Sequence, residues 1–580
     1  MSNNGKKVGS VVVVGGGVGG MQASLDLAEA GYKVYLVDKE SCIGGTMAQL
    51  DKTFPTNDCA MCTLAPRLVD TGSHLNIEKI TNAEVEKVEG EPGNFKVILN
   101  KKSRYIDLTK CTGCSICVEK CPVKVDSEFD TDLIKRNAIY RRYPQAVPGA
   151  FTIDKQGVSP CRFACPANVN AHAYVALIGQ GRFAEALEVE RRQNPFPAIC
   201  GRICPHPCEF ECTRNEIDEP ISIAVLKRFL VDWETAHPDK KSPIPEIKEE
   251  RTEKVAIIGA GPAGLMAARE LALKGYPVTI FEAQQESGGM LKYGIPAYRL
   301  PKEVLKHEIQ DAVLNLGVEL KTNSTLGKDF ILDDLKKLGY KAIFVAIGAW
   351  QGLKLNIAGE SDNSGVIDAV TFLKNLNIGK PDYVKGKKVA IIGGGNVAMD
   401  VARSAWRLGA SEVHIIYRRS RAEMTANPWE IEEAIEEGIK ITYLAAPTKV
   451  LGGDNKVAAL ECIKMALSEP DASGRRKPIP IKGSEFNIPV DILIPAISQQ
   501  PELNAVQNSG IKNNPMGLFE VDGVTLETTV PGIFAGGDAV SGPATAIEAI
   551  EAGRRAAISI DRYLRGQDLK EGREEPPKTK

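Results

Sequence analysis

The sequence predicts an α/β protein: two interleaved Rossmann-like dinucleotide-binding domains, preceded by an α-helical, cysteine-bearing segment and by an N-terminal partial α/β domain with a cysteine-rich insert. Three observations predict it. A glycine fingerprint occurs three times, each time between an apolar strand and a helix-like stretch. One Gly-Gly-Asp closure, Gly536-Gly537-Asp538, stands near the C-terminus. Twelve of the fourteen cysteines fall between Cys59 and Cys212.

A length of 580 residues exceeds what one core organises and suggests three or four domains. With 43% hydrophobic residues, 25% charged residues and a net charge of −2, the chain has no general electrostatic reason to bind nucleic acid or an anionic membrane. No apolar run reaches the roughly eighteen residues of a membrane span. Val11 to Val14 runs straight into glycines and reads as a strand, without the length or cleavage site of a signal peptide. So many cysteines in an unexported chain argue for metal ligation in a reducing compartment, a cytoplasm kept low in oxygen.

The first fingerprint reads Gly15-Gly16-Gly17-Val18-Gly19-Gly20, with a second strand, Lys33 to Val37, ending at Asp38. Gly15, Gly17 and Gly20 allow a tight turn and a close approach to a pyrophosphate, and Asp38 suits a ribose hydroxyl. Cys59-Ala60-Met61-Cys62 follows, open to three readings: a redox dithiol beside a nucleotide, extra cluster ligands, or packed thiols. Cys111, Cys114, Cys117 and Cys121, then Pro122, have the bacterial ferredoxin spacing for a [4Fe–4S] cluster. In two-cluster ferredoxins the last of these cysteines serves the other cluster, a role open to Cys121.

Cys161 and Cys165 precede an amphipathic stretch, and Cys200, Cys204, Cys208 and Cys212 follow it. Glu234 to Lys254 is rich in Pro and charge and reads as a linker. The second fingerprint, Gly259, Gly261 and Gly264, has Glu282 closing its strand. In the third, Gly393, Gly395 and Asn396 precede Ala398, which replaces the last glycine. The strand after it ends in Arg418 and Arg419 in place of an acid, with Arg421 close behind. Arginine forks suit a 2′-phosphate, so this site reads as NADP(H). The Glu-rich run Glu430 to Glu437 reads as a solvated helix face. Cys42 and Cys462 stand alone and read as structural.

Several short motifs in a fixed order carry a resemblance over roughly residues 158–566. They are Gly288-Gly289-Met290-Leu291 with Tyr293-Gly294-Ile295-Pro296, Gly393 to Asp400, Tyr417-Arg418-Arg419-Ser420, and Gly536-Gly537-Asp538. The segment resembles the glutamate synthase small subunit and the NADPH-binding flavin subunit of ferredoxin:NADP transhydrogenases. The resemblance implies FAD at Gly259, Gly261, Gly264, Glu282, Gly289, Leu291, Gly348, Gly537, Asp538 and Ala546. It implies NADP(H) at Gly393, Gly395, Asn396, Ala398, Arg418 and Arg419. It also implies one [4Fe–4S] cluster on Cys165, Cys204 and Cys208 and another on Cys161 with Cys212, Cys200 being no ligand. The chain departs from that pattern: two upstream cysteines are missing, and Leu226-Lys227-Arg228 stands where relatives complete a cluster with Gln or Glu.

The first 155 residues resemble the flavin subunit of heterodisulfide reductase, on Gly44 to Cys59, the ferredoxin motif and Tyr140 to Pro148. The second half of that FAD domain is missing. The N-terminal nucleotide site is therefore expected to be either vestigial or finished by another subunit.

The expected domains are 1–104, partial FAD/NAD-binding-like; 105–157, ferredoxin-like; 158–233, α-helical iron–sulfur; 234–252, linker; 253–350 and 493–566, the two halves of the FAD domain; 351–492, NADP-binding; and 567–580, tail. The expected cofactors are FAD, NADP(H) and two to four [4Fe–4S] clusters. Because NADPH yields a hydride and a cluster takes single electrons, a flavin must mediate, and no catalytic side chain is required. Expected partners are other subunits of an electron-transfer complex, or ferredoxin. The resemblance extends to an electron-bifurcating transhydrogenase, with a glutamate synthase small subunit and an electron-relay scaffold as alternatives.

Overall fold

The computed structural model describes residues 9–575 apart from 131–132, 156, 244, 248, 380–382, 454, 472–473, 475 and 507–508, so the end of the expected tail and two linker positions lie outside the described residues. The chain divides into two compact units, Met1–Val158 with Thr213–Pro220, and Ser159–Cys212 with Ile221–Lys580.

In the first unit the β-branched strands Ser10–Val14, Lys33–Val37 and Ile77–Ile80 form a parallel sheet in that order. Met21 and Leu25 of the helix Val18–Glu29 share a core with Leu64 and Leu68 of the helix Ala60–Ser73 and with Val34, Leu36 and Ile43. A hairpin, Ala83–Glu91 with Asn94–Lys101, leads to the cysteine-rich segment. That segment holds a short helix, Ile116–Glu119, and the small antiparallel pairs Lys124–Asp126 with Lys135–Asn137 and Ile139–Tyr140 with Thr152–Ile153. Buried Arg104 donates to the carbonyls of Ser41 and Ala150 and to the Thr81 hydroxyl. The Ile43 amide donates to the Val147 carbonyl at 2.9 Å. These bonds knit residues 105–157 into the same unit as the glycine-rich half.

The second unit contains both expected sheets. The FAD-type sheet runs Glu319–Lys321, Val278–Phe281, Lys254–Ile258, Tyr340–Val345, Ile533–Ala535, all parallel. Its last strand returns from beyond the NADP-type sheet, so the two are interleaved as expected. The NADP-type sheet is Lys440–Tyr443, Glu412–Tyr417, Lys388–Ile392, Ile492–Pro495, also parallel. Three long antiparallel strands, Ala445–Gly453, Lys456–Pro470 and Arg476–Pro489, are inserted before the last of these.

The helix Ala546–Leu564, opened by a Thr545/Glu548 capping box, lies on the helix Pro262–Leu273. A Cβ on Gly553 would sit 2.2 Å from the Ala263 carbonyl oxygen, so only glycine permits this approach. The helices Ala171–Gly179, Phe183–Arg191, Pro197–Ile203 and Ile223–Ala236 of the cysteine-rich segment share one core with the FAD-type part. Tyr174, Leu187, Phe196 and Leu230 belong to the same buried cluster as Met266, Leu271 and Phe534.

Two expectations are corrected here. The linker does not begin at Glu234, because the helix continues to Ala236. Glu234 is buried, pairs with Arg191 at 2.6 Å and accepts from the Ser242 amide. Nor is Glu430 to Glu437 simply solvated. Glu430 is 3% exposed and pairs with Arg299 at 2.5 Å, while Glu433 and Glu437 hold Arg403.

Buried Glu308, on the helix Lys302–Ala312, accepts from the amides of Ala198 and Ile199 at 2.7 and 2.8 Å, fastening the FAD-type part to the helix that leads to Cys204. Burial outweighs these bonds and pushes its carboxyl up to about 7. A carboxyl raised on folding contributes stability below its unfolded value and loses it as pH rises through the folded one. Between pH 5 and 8 the protein should therefore lose about 2–3 kcal/mol that a Glu308→Gln variant does not lose. Urea titrations at both pH values check this.

Candidate functional site

A cavity of about 480 Å³ lies in the second unit. Gly259, Gly261, Glu282, Gly289, Leu291, Gly348, Gly537, Asp538, Ala546 and Asn396 line it, so most of the residues proposed from the sequence for FAD, and one proposed for NADP(H), meet in one place. Each is placed by a strand end or a helix start. The strand Lys254–Ile258 ends at Gly259, whose φ of +104° and close approach to the Ala346 carbonyl demand glycine. Gly261 caps the helix Pro262–Leu273, and a Cβ there would meet nothing within 4 Å, which leaves the space above it open.

Glu282 is 5% exposed and accepts from the amides of Ala260 and Gln284 at 2.7 and 2.8 Å. Asp538 accepts from the Ala544 amide, and burial pushes its carboxyl up to about 7. The N-termini of two long helices, at Pro262 and Ala546, also line the space, and their free amides favour an anion. An open glycine cradle, a buried carboxylate and two helix N-termini fit a dinucleotide such as FAD.

Gly264 and Ala398 lie outside the cavity wall and act in packing. A Cβ on Gly264 would sit 2.0 Å from the Gly259 carbonyl oxygen, whereas Ala398 is accommodated in full burial. Gly393, at φ +150°, passes close to the Ala496 carbonyl, and the Asn396 side chain accepts from the Asn427 amide at 2.8 Å. The arginines differ from one another. Arg418 is exposed at the strand end, and among the described residues no carboxylate pairs with it. Arg419 is 8% exposed and its Nε donates to the Arg476 carbonyl at 3.1 Å, so it braces the antiparallel insert. Arg421 is engaged by Glu432.

Of the cysteines of this unit, Cys204 is the one whose chain neighbours reach the same cavity. Ile203 and Pro205, on either side of Cys204, form part of its wall. Burial raises the thiols of Cys165, Cys204 and Cys208. Cys161 and Cys212 are partly exposed. Cys200 is 1% exposed and its thiol faces Asn194 Oδ1 at 3.7 Å, consistent with a packing role. This soft, all-thiol donor set suits iron–sulfur clusters. Among the described residues, no three His, Cys, Asp or Glu groups converge as a single metal ion would require.

In the first unit, Gly15 has φ +100°, matching Gly259, and Asp38 accepts from the amides of Gly16 and Glu40, matching Glu282. Gly44 and Gly45 have φ of +115° and +59°, close to +119° and +53° at Gly288 and Gly289. The space above Gly17 is open, and a Cβ on Gly20 would strike the Gly15 carbonyl. The N-terminal site thus repeats the FAD-type half, but among the described residues its sheet has three strands. Cys59 caps the helix Ala60–Ser73, its sulfur accepting from the Cys62 amide at 3.2 Å. The Cys62 thiol and amide hold the Cys59 thiol below its usual value, while Cys62 is raised by Cys59. Both are exposed, which removes the packed-thiol reading of this pair. Cys111 and Cys121 are partly exposed, and Cys114 and Cys117 are exposed. The Ile116 amide holds the Cys114 thiol below its usual value. Cys42 and Cys462 are buried.

Sequence reasoning missed Arg299. It joins Asp400 at 2.7 Å and Glu430 at 2.5 Å, and both Arg299 and Asp400 line the cavity. It missed Trp350 and Lys374 as well, which also line the cavity and stand close to each other. No local pattern marks them, because their partners are distant in sequence.

Comparison with known proteins agrees with this geometry. The family described as pyridine nucleotide-disulphide oxidoreductase matches residues 253–553. Dihydropyrimidine dehydrogenase domain II, 4Fe-4S cluster, matches 155–238, FAD dependent oxidoreductase matches 10–82, and 4Fe-4S binding domain matches 104–125. The beta subunit of NADP(+)-dependent formate dehydrogenase from Moorella thermoacetica is 44% identical over 427 residues, 70% of this chain and 60% of that one. The beta subunit of NADPH-Fe(3+) oxidoreductase from Geobacter sulfurreducens is 42% identical over 438 residues, 71% of this chain and 64% of that one. The chain thus spans less than two thirds of these relatives. It covers 87% of the NADPH glutamate synthase small chain of Azospirillum brasilense, at 34% identity and over 71% of its own length. FAD, NADP(H) and 4Fe–4S clusters are therefore the cofactors of this architecture, and the chain belongs to the pyridine nucleotide-disulphide oxidoreductase family.

Proposed function

We propose that the chain is the NADPH-oxidising flavin and iron–sulfur subunit of a larger electron-transfer complex. The observation that carries this reading is the position of Cys204: its two neighbours, Ile203 and Pro205, line the same cavity as Gly261 and Asp538. FAD supplies the exchange between a hydride, which carries two electrons, and single electrons that a cluster accepts. The protein's own residues hold and orient. Gly259, Gly261, Glu282, Gly289, Leu291, Gly348, Gly537, Asp538 and Ala546 would enclose the flavin, with Gly264 packing the turn. Gly393, Gly395, Asn396 and Arg418 would hold NADP(H), with Ala398 packing the turn. Cys165, Cys204 and Cys208 would receive the first electron, and Cys161, Cys212 and Cys111 to Cys121 would carry it outward. Gly15, Gly17, Gly20 and Asp38 form a second nucleotide half-site, and Cys59 and Cys62 an exposed dithiol or ligand pair beside it.

The proposed domain boundaries are 1–104, 105–157, 158–236, 253–350 with 493–566, and 351–492, the linker beginning after Ala236. Two relatives are named as beta subunits, which supports other subunits as partners; ferredoxin is a further proposed acceptor. The complex could be an electron-bifurcating transhydrogenase in an anaerobic cytoplasm, with NAD and ferredoxin as the other couples. Among the described residues no helix is long and apolar enough to cross a membrane. A glutamate synthase small subunit is the second reading, supported by the 87% coverage of that relative. The matches of residues 10–82 to FAD dependent oxidoreductase and of 104–125 to a 4Fe-4S binding domain favour the first.

Anaerobically purified protein should be yellow-brown, and NADPH, not NADH, should bleach its flavin; no bleaching by either nucleotide would overturn the reading. Gly261→Val fills the open space above the turn. It should give protein with unchanged far-UV circular dichroism and no bound flavin. Arg418→Ala removes a charged phosphate partner and should raise KM for NADPH about tenfold or more, leaving any NADH reaction unchanged. Steady-state kinetics with both nucleotides check this.

A further inference from the structure

Lys227 is 6% exposed, inside a helix whose other buried residues are Ile223, Leu230 and Glu234. A buried ammonium needs a partner, and its Nζ lies 3.1 Å from Oε1 of Glu190, which is fully buried. The same oxygen accepts from Asn194 Nδ2 at 2.9 Å, and Asn194 in turn faces the Cys200 thiol. Two contacts bring this helix to the cysteines. At its first turn the Ala224 amide donates to Glu209, the residue after Cys208. At Arg228 its backbone is so close to Gly201 that a Cβ on that glycine would lie 2.9 Å from the Arg228 nitrogen. Lys227 sits between these two points, one residue from the contact with the helix that ends at Ile203, just before Cys204.

We infer that Lys227 is a fixed positive charge beside the cluster held by Cys165, Cys204 and Cys208, and that it raises that cluster's reduction potential without being a ligand. Clamped by Glu190, the protonated amine has no lone pair to give iron. The ion pair is a dipole whose positive end is carried by the helix that packs on the cysteine-bearing segments, through Glu209 beside Cys208 and through Gly201 in the helix before Cys204. Reduction adds negative charge to a cluster, so a neighbouring cation in a low-dielectric interior favours the reduced form. The consequence is directional. The cluster nearest the flavin cavity becomes a ready electron acceptor, and electrons are drawn out of the cavity.

This rests on the reading that the segment holds a cluster, and the experiment separates the two. The full chain is purified anaerobically, its iron and acid-labile sulfide are counted, and its clusters are titrated potentiometrically with electron paramagnetic resonance as the readout. Lys227→Met should keep the iron and shift one cluster to lower potential. Glu190→Gln, which removes the opposing charge, should shift the same cluster to higher potential, and Lys227→Arg should leave it in place. If an unpaired Glu190 prevents Lys227→Met from folding, the double variant with Glu190→Gln leaves no stranded charge and should still show the lower potential. Unmoved potentials, shifts of the same sign in the two single variants, or loss of iron from a folded Lys227→Met or from the double variant would overturn the inference. Absence of iron and sulfide from the unsubstituted chain would sink the cluster reading itself, and the inference with it.

Discussion

The pairing of Tyr340–Val345 with Ile533–Ala535 is the constraint on which the second unit depends. The whole NADP-type sheet lies between these strands in sequence, yet Ile343 stands beside Ile533 and the Gly536 amide reaches the Val345 carbonyl. Only that closure brings Gly537 and Asp538 to the glycine turn at Gly259 and Gly261. Closing so long a loop costs entropy that grows slowly with length, and a buried parallel sheet offsets it. The helix Ala546–Leu564 adds its apolar face to the same core, with Gly553 allowing the two helices to touch.

The first unit shows what the same motif is without that closure. Its glycine turn, its carboxylate and its second pair of glycines match the FAD-type half position by position in backbone conformation. Yet Ser10–Val14 is an edge strand, with Val12 and Val14 exposed, where its counterpart Lys254–Ile258 is central and buried. The difference is one of missing neighbours and not of local geometry. That is why the fingerprint alone could not decide whether this half binds a nucleotide.

Much of the fold was legible from sequence because it rests on short-range rules. Strand, glycine turn, helix and acid recur within a few dozen residues, and the glycines are needed where backbone passes backbone, as at Gly259 and Gly264. Cysteine spacing is equally local. What escaped was set by tertiary partners. Arg419 reads as a phosphate ligand until the insert supplies the Arg476 carbonyl, and Glu430 reads as solvated until Arg299 arrives from another domain. Lys227 reads as a defect in a ligand pattern until Glu190 is seen beside it. In each case a charged side chain was judged by its neighbours in sequence, whereas its energy is set by neighbours in space.

The triad of Arg299, Asp400 and Glu430 has a mechanical consequence. One guanidinium from the FAD-type part holds two nearly inaccessible carboxylates of the NADP-type part. A swing of one sheet away from the other would strand those acids in a dry interior, at a cost of about 3–5 kcal/mol for each broken partnership. Arg299 therefore stiffens the hinge between the two sheets, together with Asn377, whose side chain donates to the Tyr293 carbonyl, and Arg407, which lies over the Tyr298 ring.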